Sequence, residues 1–217
     1  MKKLLKNAQD KISFHTHFIG IYLSVIYFFL LEIYAILKHS NIQIYIGFLI
    51  FTLSSLCLYS SSALYHYIKN DSSHKIKFRK LDHAMIYVLI AGSYTPIVLN
   101  YFSENNKIIF LVAIWLTALF GVVLKLFWIN SPRIVSTLIY LILGWSILFD
   151  IPSLLLIPSN VVICLVLSGI SYSVGAIIYI IKKPNITLEW GFHEIFHIFI
   201  LLGTFLHFIA CIQMLVY

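Results

Sequence analysis

Four histidines (His66, His83, His193 and His197) and one aspartate, Asp82, fall in or beside apolar runs, where ionisable groups are costly and are functional suspects. His193 and His197 are four residues apart, so on a helix both imidazoles project from one face and can share a metal ion. Ser62 and His66 repeat that spacing, which stacks the hydroxyl one turn behind the ring. Three neutral imidazoles, His66, His193 and His197, with a water or carboxylate in the fourth position, make a tetrahedral Zn2+ set. Asp82 opens its apolar run, and a helix N-terminus there would favour its ionised form. It would either bind the ion directly or hold and deprotonate a water beside it. Each histidine alone reads as polar glue between helices. The three together with Asp82 read as a metal site.

A further reading competes for these residues. His193–His197 spells HEIFH, which matches the H-E-x-x-H helix of zinc proteases, with Glu194 as the base. His207 lies ten residues beyond His197, about 15 Å along a helix, too far to share the ion and therefore structural. His15, His39 and His74 sit in loops or at the edges of apolar runs, and Glu32 and Asp150 sit near the far helix ends.

The elements that must position these residues follow from composition. Of 217 residues, 61% are apolar and 11% are charged, about half the charge that a soluble domain carries. The solvent of this chain is lipid. Apolar runs long enough for spanning helices, about 20 residues each, cover about 17–37, 43–66, 83–101, 108–128, 134–150, 160–181 and 192–216, the fifth being the shortest. The expected fold is an all-α bundle of seven transmembrane helices forming one domain over 1–217. Lys2, Lys3 and Lys6 precede the first run as in a signal peptide, but the run is too long for one and lacks a cleavage site, so it is expected to remain as the first span.

Charge gives the orientation. Seven spans put 13 of the 15 basic residues on the side of the N-terminus and leave Lys38 and Lys107 on the other. The positive-inside rule makes the N-terminal side cytoplasmic and the C-terminus external. The net charge of +7 is thus spread over loops, with no basic face for nucleic acid. Cys57, Cys164 and Cys211 lie in apolar runs without metal or disulfide spacing. In this topology His66 ends the second span, Asp82 and His83 open the third, and His193 and His197 begin the seventh. All five reach the inner-leaflet end of the bundle.

At these residues the chain resembles the hemolysin III group of the progestin and adipoQ receptor superfamily. The stretches THFIG (16–20), SSALYH (61–66), LDHAMIYVLIAGSYTP (81–96), YLILGW (140–145), SGISYSVGAIIY (168–179) and HEIFHIFILLGTFLHF (193–208) carry the resemblance in order. It implies zinc held by His66, His193 and His197, Asp82 contacting the ion through water, and seven helices with the N-terminus inside. It also implies a lipid-related role, since the superfamily includes hormone-responsive receptors linked to ceramide hydrolysis. The bacterial branch is named for haemolysis and connected with membrane-lipid homeostasis.

Four functions are therefore expected to compete. The first is a zinc-dependent hydrolase of a lipid amide or ester, with Asp82 as base and Ser62 donating to the developing oxyanion or positioning water. The second is a lipid sensor with structural zinc, which uses the same ligands. The third is a pore-forming haemolysin (cytolysis), which an inside-positive, membrane-inserted chain does not favour. The fourth is an intramembrane metalloprotease. The partners expected in every case are membrane lipids.

Overall fold

A computed structural model describes residues 7–187 and 189–216. Lys2, Lys3 and Lys6 of the charge partition lie outside them. The described residues form helices and no strands: α1 (Lys11–Leu37), α2 (Ile42–Tyr67), α3 (Lys75–Tyr101), α4 (Glu104–Phe127), α5 (Arg133–Gly144), α6 (Ser159–Ile181) and α7 (Phe192–Gln213). A 3-10 turn (Ser146–Phe149) and a single helical turn (Ile151–Leu154) connect α5 to α6. Six helices, all but α5, are long and apolar enough to cross a bilayer, which makes this a multi-pass membrane protein. Helices suit that solvent because every backbone N–H and C=O is satisfied within the segment.

The packing leaves apolar side chains such as Phe29, Ile109 and Phe120 exposed on the outer faces, where lipid solvates them. α3 is the inner helix: 56% of its apolar stretch is buried, against 22% in α4. α1 lies against both α2 and α7, bringing the first helix beside the last, and α6 packs along α7. Small residues permit the close approaches. A Cβ on Gly47 would sit 2.6 Å from the Pro96 Cα, and one on Gly20 would sit 2.4 Å from the Tyr59 ring. Buried hydroxyls add interhelical bonds. Tyr59 Oη donates to Thr204 Oγ1 at 2.7 Å, and the Tyr172 and Thr204 hydroxyls lie 3.0 Å apart, joining α2, α6 and α7.

Three expectations change. α3 begins at Lys75 rather than near 83, because a helix can run past the lipid once its residues are polar, and hydropathy sees only the apolar part. Asp82 therefore lies two turns inside the helix. The dipole argument for its charge lapses, since that effect fades within the first turn. The run 134–150 is a helix only to Gly144. There Tyr94 Oη donates to the Gly144 carbonyl, and the indole of Trp145, the next residue, donates to Ser173 Oγ.

Candidate metal centre

The three histidines of the two spaced pairs meet. Ligand nitrogens of His66, His193 and His197 all lie within 4.8 Å of one another, and His66 Nε2 is 3.2 Å from His193 Nε2. Two nitrogens bound tetrahedrally to one zinc at about 2.0–2.1 Å would stand roughly 3.3 Å apart. That pair is already at ligand spacing.

Hydrogen bonding fixes which nitrogen two of the rings present. His66 Nδ1 donates to Asp10 Oδ2 at 3.0 Å, leaving its Nε2 as a bare lone pair. Thr16 spends its single O–H on the Ser13 carbonyl at 2.9 Å, so its oxygen accepts from His197 Nδ1 at 3.1 Å. His197 Nε2 is likewise left bare. Such outer partners set tautomer and ring orientation in metal sites, so the donor type and spacing of the three histidines and the tautomers of His66 and His197 fit a zinc ion.

Asp10 is itself held. Its backbone N–H donates to the His66 carbonyl at 3.0 Å, and Lys75 Nζ lies 3.7 Å from its carboxylate. Lys75 also donates to the Tyr65 and Ile68 carbonyls at the end of α2. The His66 hydrogen bond holds the Asp10 carboxyl below the usual carboxylate range, outweighing the opposing effect of partial burial, and the Lys75 charge adds to it.

Beside the histidines opens a cavity of about 230 Å³. Ser62, Asp82, His83, His193 and His197 line its polar end, and Ile97, Leu154 and His207 line it farther along. His197 and His207 are ten residues apart on α7, so the cavity runs about 15 Å up that helix. The Ser62 hydroxyl is buried with no hydrogen-bond partner among the described residues, a donor left free beside the site. His83 lines the cavity, but neither it nor His207 belongs to the three-histidine cluster. Glu194 faces elsewhere: Oε1 accepts from Ser13 Oγ, and Oε2 accepts from the Gly191 N–H at 3.0 Å, capping α7. Both oxygens of the would-be protease base have structural partners. Asp150 caps the turn before α6.

Comparison with known proteins decides the family. The family model described as haemolysin-III related matches residues 5–208. The chain belongs to this family. It is 38% identical over 190 residues to the hemolysin-3 homolog of Bacillus subtilis (strain 168), covering 87% of this chain and 86% of that protein. To the hemolysin-3 of Bacillus cereus it is 35% identical over 194 residues, covering 89% and 85%. The family matches the one that the sequence motifs resemble.

Three residues of the site escaped the spacing argument, and all lie on or just before α1. Asp10 and Thr16 orient two of the histidines. His17 is buried with its ring stacked 3.6 Å from that of His197, and neither of its nitrogens has a partner. A signal existed: Ser13, Thr16, His17, Gly20 and Ser24 recur at three- and four-residue spacing and form the buried face of α1. That is the small and polar stripe of a helix packed against other helices.

Proposed function

We propose that this protein is a zinc-dependent hydrolase that cleaves an amide or ester bond of a membrane amphiphile at the inner leaflet. The observation that carries the reading is one cavity with two characters. Two histidines of the cluster, a serine hydroxyl without a partner among the described residues and a carboxylate line one end, and a largely apolar stretch that includes Ile97, Leu154 and Leu165 continues to His207, about 15 Å beyond. A polar head with a scissile bond and an acyl chain would match those two ends.

His66, His193 and His197 would hold the ion, which when bound polarises a carbonyl and lowers the pKa of a water toward neutrality. Asp82 accepts the proton of the attacking water on a carboxylate oxygen and returns it to the leaving group. Ser62 donates its free O–H to the oxygen on which charge develops. Asp10 and Thr16 keep the two rings from turning their second nitrogens inward.

The placement in the membrane belongs to the same proposal. α5 has 12 residues, about 18 Å of helix, and together with the turns after it completes a seventh crossing. The 13-to-2 charge partition puts the N-terminus and the metal centre on the cytoplasmic side. A lytic pore is not favoured by a chain so built into its own membrane. A lipid sensor with structural zinc uses the same ligands and is separated by turnover.

The test is metal content together with hydrolysis of labelled ceramide-like amides and acyl esters by purified protein. One zinc per chain is expected, with metal and turnover both lost in His193→Ala. Ser62→Ala should keep the metal and lose about 10²-fold or more in rate. A zinc-replete protein that cleaves neither class, but melts at lower temperature without metal, would favour the sensor.

A further inference from the structure

Lys125, near the end of α4, does not behave as a lysine at a membrane surface should. Such a side chain normally extends its stem outward so that the ammonium reaches water and headgroups. Here Lys125 is 1% exposed, while Phe127, two residues on, is 86% exposed. Its Nζ donates to Ser131 Oγ at 2.7 Å and to Ser136 Oγ, and those two hydroxyls are 2.9 Å apart. An ammonium has three N–H donors, two of which are used here, and only one serine O–H is consumed between the two hydroxyls. The group thus keeps one N–H and one O–H to give.

No acceptor answers them. Lys125, Ser131, Ser136, Arg79 and Arg133 all line the cavity that reaches the histidines, and among the described residues its one carboxylate is Asp82. Among the described residues none of the three cations forms an ion pair. Arg133 instead lies over the Tyr179 and Phe192 rings, 4.9 and 5.4 Å from their centroids. A buried charge is costly unless something of opposite sign meets it.

We propose that Lys125, Ser131 and Ser136, with Arg79 and Arg133 beside them, form a phosphate-binding subsite, and that the amphiphile in the cavity carries a phosphate headgroup. This rests on the reading of the cavity as the seat of an amphiphile and narrows it from any polar head to an anionic one. Phosphate supplies acceptors where the subsite has surplus donors, and its charge answers three unpaired cations. Its position near the histidines brings the headgroup end, rather than the chain end, toward the metal centre.

Binding to the full-length protein in neutral detergent tests it, with lysophosphatidic acid, the monoacylglycerol of the same chain, and inorganic phosphate as probes. Lysophosphatidic acid is expected to bind at least about tenfold more tightly than monoacylglycerol, as one charge-assisted interaction is worth about that. The preference should vanish in Lys125→Met and shrink in Arg133→Gln. Arg133 is exposed, so its variant decides the matter if Lys125→Met does not fold. Inorganic phosphate that binds alone, with an affinity matching the lysolipid, would support the subsite and assign it to free phosphate. Weak displacement by phosphate would support it and assign it to the lipid headgroup. Equal binding of the charged and neutral lipids, or a preference that both folded variants retain, would overturn it. Zinc measured in the same samples separates the two ideas: a metal-free protein with an intact charge preference loses the hydrolase and keeps the subsite.

Discussion

An imidazole offers a metal one nitrogen, and the partner of the other decides whether that nitrogen is free to bind. Asp10 and Thr16 make that choice for His66 and His197. Asp10→Ala should therefore weaken zinc binding about 10–100-fold, read by competition with a chromophoric chelator. Asp10→Asn should lose less, because its amide oxygen still accepts from Nδ1. Thr16→Val should also weaken zinc binding, since His197 Nδ1 loses its acceptor. An unchanged zinc affinity in Asp10→Ala would show that the Asp10 carboxylate does not orient His66 for the ion. At this scale His193 and His197 were legible as a pair, because a helix converts i, i+4 into one face, and His66 joined them only through the expected topology, which put the end of its run at the same depth. Asp10 was not, because it reaches His66 through backbone pairing with the end of α2, a contact that no periodicity encodes. Glu194 shows the converse: its motif named it a base, but its first-turn position made it a cap.

Helix packing turns on a few glycines. Gly47 faces Pro96, and a Cβ there would meet backbone rather than a side chain that can turn aside. Gly47→Ala should cost about 1–3 kcal/mol, seen as a lower melting temperature in detergent. Gly144→Ala is the matched control, since nothing lies within 4 Å of its Cβ position. It should change stability by no more than about 0.5 kcal/mol. Equal losses in the two variants would show that α2 and α3 can separate without penalty. Apolar runs identified the long helices because lipid demands length and hydropathy together. They misjudged the ends of α1 and α3, which continue as polar helix to Lys11 and Lys75. The break after Gly144 was hidden for another reason: its cause is a pair of side-chain bonds from α3 and α6, and the residues that break remain as apolar as those before them.

At the scale of the molecule, the described residues hold six long apolar helices, and the crossing number turns on α5. Seven crossings put the termini on opposite sides. A reporter enzyme active only outside the cell, fused to the C-terminus, should therefore be active, and a fluorescent protein that folds only in the cytoplasm should be dark there. The reverse pattern, with an N-terminal tag inside, would mean an even number of crossings.

The centre also joins the two ends of the chain: Thr16 and its partner His197 are 181 residues apart. At a synthesis rate of about 5–20 residues per second, roughly ten to forty seconds separate their emergence from the ribosome. Throughout that interval the Ser13–Thr16–His17 face of α1 waits in the nascent bundle without the helix it is built to meet. The zinc loading proposed above would therefore come late in biogenesis, set by the arrival of α7. A chain truncated before His193 would be a membrane protein that keeps Asp10, Thr16 and His66 but lacks His193 and His197, a state for the cell's quality control to recognise.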